Sequence, residues 1–200
     1  MPRTGGKQRR HQLVVEAVRL FGSRGYDGTT LDAVAEAAGV RKQSLLYHFP
    51  GKEELFEACV AHVSERVVDT LEHALTGAED GWDRVERIIR ALFRLAEEWP
   101  EFPGFVREAS WRGADVVRRF AAGLDPLRKR AIDFLEKGME DGVFRRQDPA
   151  LLLFMIYTAV VGSITEAGVL RAVAGGSGGR TALRRREREL LGFVRAALSP

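Results

Sequence analysis

Apolar residues recur along this chain at the spacing of a helix face, with no convincing run at the alternating spacing of a strand. Val14, Ala17, Val18 and Phe21 stand at i, i+3, i+4 and i+7, the period that gathers side chains on one side of an α-helix. Gly22 and Gly25 follow and predict its end. Leu31, Val34, Ala35 and Ala38 repeat the spacing behind Thr29 and Thr30, either of which suits a helix cap by accepting from an orphan backbone N–H. Gly39 closes this second helix, since glycine takes the left-handed conformation cheaply. A third helix, very short, is predicted over about 41–47, and Pro50 biases Phe49 away from helical geometry. A fourth starts near residue 51 with Glu53 and Glu54 in its first turn, where the helix dipole favours acids. It carries Leu55, Cys59, His62 and Val63 and continues to about Leu75.

After the segment TGAEDG (76–81) the pattern lengthens. Helices are predicted over about 82–98, 102–112, 115–140, 148–173 and 181–198, separated by Pro100, Pro103, Gly113, Gly142 and Pro149. Pro126 is expected to bend, interrupt or shorten the helix at 115–140. GGSGG (175–179) has the composition of a flexible loop. The expectation is an all-α protein of about nine helices. Residues 1–50 form a small three-helix domain, the helix over about 51–75 is the connector, and 51–200 form a larger helical domain.

The net charge is only +3, but its distribution is uneven. Residues 1–50 hold eight Lys/Arg against four Asp/Glu, while the other 150 residues hold 23 against 24. A basic front on a near-neutral body suits an anionic partner such as nucleic acid, and equally a solvated basic tail. Arg9 and Arg10 belong to that front, as a phosphate-touching arm or a free tail. The single Cys59 excludes an internal disulfide and a cysteine-rich zinc site and points to a reducing, cytoplasmic setting. The N-terminus is basic without an apolar signal-peptide core. Residues 149–165 carry no charge, but they are at the short limit for a membrane span and are diluted by Pro149, Tyr157, Thr158, Gly162 and Ser163. A core or interface helix is the better reading, with no membrane association. His62, Asp69 and His73 share a helix face without a close His/Cys cluster, so no metal and no cofactor is expected.

The second and third helices, joined by a glycine turn, have the helix-turn-helix plan. Such a pair shares a small Ala/Leu/Val core and offers the polar face of its second helix to the major groove. Leu45 and Phe49 are the expected anchors of that helix; Arg41, Lys42, Gln43, Ser44 and Tyr47 are expected to face outward. Its short length then fits a reading head. Glycine-turn helix pairs also occur in proteins that bind no DNA.

The same residues carry a family resemblance. TTLDAVAEAAGVRKQSLLYHFPGKEEL (29–55), with AVRLFGSRGYDGTT (17–30) before it, resembles the N-terminal domain of TetR/AcrR-type transcriptional regulators over about residues 8–56. The resemblance implies a dimeric, all-helical repressor whose C-terminal domain binds a small ligand. It implies a threonine cap at Thr29 or Thr30, a DNA-binding role for Thr29, DNA phosphate contacts for Thr30 and Lys52, and positions near bases or the adjoining backbone for Arg41, Lys42, Gln43 and Ser44. Tyr47 and His48 are implied against the backbone. Arg41, Gln43 and Leu46 depart from the residues common in the family at those places, so no operator sequence carries over.

Two features of the C-terminal region need a purpose. The helix at 148–173 is apolar on nearly every side through its first four turns, which implies burial on both flanks. With Leu183, Leu190, Leu191, Val194, Ala197 and Leu198 of the last helix, it suits a two-fold four-helix homodimer interface. The aromatic supply suits either plain core or a ligand cavity. Trp99, Phe105, Trp111, Phe134, Met155, Tyr157 and Glu166 are the candidate wall for a largely apolar small-molecule effector. The favoured function is a ligand-responsive regulator, a repressor released from a near-palindromic double-stranded DNA operator. The alternative is a helical small-molecule carrier or enzyme without DNA binding. Against an enzyme stand the lack of a phosphate loop, a metal cluster or a nucleophile motif.

Overall fold

The computed structural model describes residues 3–79, 81–175 and 179–200. Ten helices are present among them: α1 (Arg3–Arg24), α2 (Leu31–Ala37), α3 (Lys42–His48), α4 (Lys52–Leu75), α5 (Trp82–Glu98), α6 (Phe102–Trp111), α7 (Ala114–Glu140), α8 (Pro149–Thr165), α9 (Ala167–Ala174) and α10 (Arg180–Leu198). The described residues include no strand.

The chain forms two compact units, each discontinuous in sequence. The first is 1–66 with 100–123, and the second is 67–99 with 124–200. The expected division had a single boundary at residue 50; here the first unit also takes in the start of α4, all of α6 and the start of α7. In that unit α1 lies against α2, α3 and α6. Phe21, Phe56 and Phe105 form a chain of ring contacts, Phe21 to Phe56 at 5.1 Å and Phe56 to Phe105 at 5.3 Å.

Gly25, at φ 74°, ends α1, and its N–H donates to the carbonyl of Phe21. Gly22 was expected to share that role, yet it lies inside the helix. Its purpose is close approach. A Cβ at Gly22 would fall on the carbonyl oxygen of Glu101, and one at Gly104 on the carbonyl oxygen of Gly22. The two glycines let α6 rest directly on the backbone of α1.

In the second unit α10 packs on α5 and α8. Val85, Ile89 and Phe93 of α5 meet a core that includes Leu152, Val160 and Ile164 of α8 and Leu190, Val194 and Leu198 of α10. The segment before α8 is tied to the end of α10, with Arg145 N donating to Leu198 O at 2.9 Å and Gln147 Nε2 to Ala197 O at 2.8 Å.

Two expectations need correction. The helix foreseen over 148–173 is two helices. Glu166, at φ −96° and ψ 40°, caps the end of α8 through its N–H to Gly162 O and starts α9, where its carbonyl accepts from Leu170 N. Gly162 and Gly168 flank the break and weaken the helix on either side. Of the effects expected of Pro126, interruption and shortening do not occur, since α7 runs unbroken from Ala114 to Glu140. Pro126 and Ala122 are both exposed, on the solvent side of the helix, where proline is tolerated best. Of GGSGG, 176–178 lie outside the described residues.

The glycine crossing is testable. Gly104→Ala is expected to lower stability by about 1–3 kcal/mol, because the added methyl meets backbone that has no rotamer to yield. A urea melt reads this directly, and an unchanged midpoint contradicts the crossing.

Candidate nucleic-acid interface

The helix-turn-helix is built from short-range bonds. Thr30 caps α2, its Oγ1 accepting from Ala33 N at 3.1 Å. At the other end Gly39 takes φ 65°; Val40 N donates to Ala35 O at 2.9 Å and Gly39 N to Glu36 O at 3.0 Å. This 6→1 and 5→2 pair is a Schellman motif, which satisfies the last carbonyls of α2 and turns the chain sharply. Arg41, in extended conformation, is the N-cap residue of α3, and its carbonyl accepts from Ser44 N and Leu45 N. The helix stops at Phe49, extended at φ −139°, ψ 104° ahead of Pro50.

Only one side of α3 is anchored. Leu45 and Phe49 are buried. Arg41, Lys42, Gln43, Leu46 and Tyr47 are exposed, Tyr47 at 85%, and Ser44 and His48 are half-buried. The Tyr47 and His48 rings meet edge-on at 5.3 Å. The polar residues expected to face outward therefore do so or are half-covered, and a buried role for Tyr47 is excluded. Lys42 is engaged within the protein, its Nζ 2.7 Å from Asp32 Oδ2 on α2. Lys52 lies at the start of α4 with its ammonium over the Tyr26 ring at 4.1 Å.

Thr29 does not belong with these residues. Its side chain is fully buried and its hydroxyl donates to Gly25 O at 2.8 Å, so it fastens the turn after α1 and is closed to a phosphate. Arg9 and Arg10 are not on a loose arm either; both lie in α1, and the Arg10 guanidinium covers the Phe49 ring at 4.8 Å.

Sequence reasoning missed several supporting residues. Gln12 Nε2 donates to the carbonyl of Ala38, tying α1 to the turn of the motif at 3.3 Å. Asp32 holds Lys42 across ten residues. Neither contact has a periodic signature. His62 meets His11 edge-on at 5.1 Å. Burial and the neighbouring His11 lower the His62 pKa. The Cys59 thiol is fully buried, and burial pushes its pKa up, as befits a core group and not a reactive one.

The candidate effector residues are divided between the units. Phe105 is a fully buried core residue of the first unit, and Trp111, in the same unit, is 83% exposed; neither is a pocket wall of the second. Met155 and Tyr157 are on the exposed part of α8. Trp99, at the C-cap of α5, and Phe134 are half-buried. The Phe134 ring meets Phe144 at 5.4 Å and the Arg84 guanidinium at 5.2 Å. Glu166 is half-buried at the break between α8 and α9.

The fold class defined by this anchored, outwardly polar second helix is the helix-turn-helix. Residues 13–59 match the family of bacterial regulatory proteins called the tetR family. The chain is 36% identical over 84 residues to the negative transcriptional regulator IcaR of the biofilm operon icaADBC in Staphylococcus epidermidis, covering 42% of this chain and 43% of that protein. It is 33% identical over 107 residues to IcaR of Staphylococcus aureus strain Newman, covering 46% and 56%. The match thus spans about half the length of these curated relatives. The family and these relatives are transcriptional regulators, not enzymes.

Among solved structures, a TetR transcriptional regulator from Chloroflexus aurantiacus has TM-score 0.77 at 22% identity, covering 97% of this chain and 98% of its own. FadR from Bacillus subtilis in complex with stearoyl-CoA has TM-score 0.78 at 15% identity, covering 94% and 98%. A transcriptional regulator from Saccharomonospora viridis in complex with choline has TM-score 0.77 at 18% identity, covering 97% and 99%. At these identities the likeness is one of fold. No helix among the described residues is long and apolar enough to cross a membrane.

The two faces of α3 make opposite demands on stability. Leu45→Ala is expected to cost about 2–5 kcal/mol, since it leaves a cavity at the helix's anchor. Tyr47→Ala is expected to stay within about 0.5 kcal/mol of the parent. Chemical denaturation of both variants checks the assignment; a large loss for Tyr47→Ala contradicts it.

Proposed function

We propose that the protein is a ligand-responsive, sequence-specific DNA-binding regulator that represses from a near-palindromic operator. The observation that carries this reading is the outward polar face of α3 on its two buried anchors, in the segment that matches the tetR family. Arg41, Gln43 and Ser44 open α3, the end that approaches base edges in this motif. Arg pairs bidentately with guanine and Gln with adenine. Thr30 and Lys52 sit at the starts of α2 and α4, where partial positive charge favours phosphate. Tyr47 and His48 reach the backbone. Lys42 acts there too, with its charge offset by Asp32.

The second unit supplies the effector site and the dimer. Its effector is a largely apolar small molecule, consistent with the Trp99 and Phe134 rings and the uncharged sequence of α8, with Glu166 as the acid available to a cationic group. Regulators of the same fold hold stearoyl-CoA and choline in the B. subtilis and S. viridis structures. The helix α4 begins in the first unit and ends in the second. A ligand bound within the second unit that tilts α4 changes the separation of two reading heads, and both then no longer fit successive major grooves.

Dimerisation rests on exposed apolar side chains. Leu151, Phe154 and Met155 of α8 and Phe193 of α10 are exposed, Phe154 at 62% and Phe193 at 65%. Of the α10 residues expected in the interface, Leu190, Leu191, Val194 and Leu198 are buried within one chain, as is Val160 of α8, while Leu183 and Ala197 are half-buried. Phe154→Asp is therefore the proper probe, since a charge at Val160 disrupts the fold itself. The wild type is expected to sediment as a dimer at micromolar concentration. Phe154→Asp is expected to weaken the dimer at least about a hundredfold while keeping its helical content, because it buries an unpaired charge. A monomeric wild type contradicts the interface.

The DNA roles separate in a binding series on operator and scrambled duplex. Gln43→Ala is expected to cost about 1–3 kcal/mol on the operator and relax preference at one or two base pairs. Lys52→Ala is expected to weaken both duplexes alike and lower the salt slope by about one. If Lys52→Ala changes base preference and Gln43→Ala weakens all duplexes equally, the assignments are reversed. If neither changes binding, α3 is not the reading head.

A further inference from the structure

Four side chains from three segments of the first unit meet beside the head of α4. Tyr26 follows α1, Lys52 and Glu53 open α4, and Arg112 is the C-cap residue of α6. The Arg112 guanidinium lies 3.5 Å from the centre of the Tyr26 ring, and the Lys52 ammonium 4.1 Å from it. Glu53 Oε2 accepts from the Tyr26 hydroxyl at 3.0 Å and from Arg112 Nη2 at 3.2 Å. Arg112 also lies 5.7 Å from the Phe56 ring, and its Nε is buried with no hydrogen-bond partner among the described residues. Two rings, Tyr26 the nearer, and one carboxylate hold this guanidinium in place.

The arrangement decides where the Glu53 charge acts. Lys52 and Glu53 are neighbours in sequence, and Lys52 is the cation assigned to phosphate. A Glu53 free to swing would present its carboxylate to the same phosphate and cancel the attraction of Lys52. Arg112 and the Tyr26 hydroxyl both hold that carboxylate, while Lys52 rests on a ring face and on no carboxylate among the described residues. A cation on a ring face remains available to an anion approaching from its other side.

We propose that Arg112 is a positioning residue for DNA binding: from the end of α6 it holds Glu53 and the Tyr26 ring, and so leaves Lys52 as a free cation for a phosphate. The proposal rests on the DNA-binding reading above. It makes α6 part of the DNA-binding apparatus although Arg112 itself touches no nucleic acid.

The test is a set of variants on a fluorescent duplex of scrambled sequence between about 50 and 200 mM salt. Arg112→Ala and Tyr26→Phe are each measured alone and combined with Glu53→Gln, beside the wild type. Arg112→Ala is expected to weaken binding about tenfold at the low-salt end and to lower the slope by about one, as loss of one effective phosphate contact requires. Adding Glu53→Gln is expected to restore affinity to within about twofold of the wild type, because the released carboxylate is then gone. Tyr26→Phe keeps the ring and removes only the hydroxyl, so it carries the test if Arg112→Ala does not fold. Its expected loss is about threefold, again reversed by Glu53→Gln. Arg112→Ala binding like the wild type overturns the proposal. So does failure of Glu53→Gln to restore binding in the folded backgrounds, since that marks Arg112 as a prop for the fold alone. A wild type that binds no duplex at any salt overturns the DNA-binding reading itself, and that result is seen before any variant is made.

Discussion

A helix of seven residues does not hold its shape in water, because too few backbone bonds repay the cost of starting it. Among the elements of the first unit, α3 is such a helix, and it persists because Leu45 and Phe49 are buried beneath it. The surroundings serve that burial. The Schellman turn at Gly39 sets the direction in which α3 leaves α2, Gln12 ties α1 to the carbonyl of Ala38, and Arg10 covers Phe49. Because two side chains suffice to hold the helix, its other side is free to be polar. That freedom is what the proposed reading of DNA uses.

The same economy extends through the first unit. Thr29, fully buried, fastens the turn before α2, while Thr30, one residue later and exposed, caps it. Adjacent identical residues thus do different work, set by which faces inward. The glycine pair at positions 22 and 104 brings α6 onto α1 without side chains between them. It also brings Arg112 to Tyr26 and Glu53, far from its own place in the sequence.

Much of the first unit was legible because its determinants are local. The period of Leu31, Val34, Ala35 and Ala38, the glycine at 39 and the proline at 50 act over one or two helical turns, and the helices lie where those signals put them. The incorporation of α6 was not legible. Gly22 reads locally as a helix stop, and its close-approach role exists only once Glu101 crosses it. The burial of Phe105 and the exposure of Trp111 had the same cause, since both follow from where α6 packs. In α8 the difficulty was different. A helix apolar on all sides carries no phase, so buried Leu152, Val160 and Ile164 look the same in sequence as exposed Leu151, Phe154 and Met155. The break at Glu166 lacked a proline to announce it. The division of α8 into a core side and an outer side is what lets one helix serve both the fold and the proposed dimer.

In the proposed function the polar side of α3 reads base sequence, twice, from two copies of the chain. Selection of bound duplexes from a randomised pool by the wild-type protein, followed by sequencing, tests it most directly. The expected outcome is enrichment of one near-palindrome whose half-sites lie about one helical turn apart, or a multiple of it. A pool that stays random, or that yields a single unrepeated half-site, would contradict it.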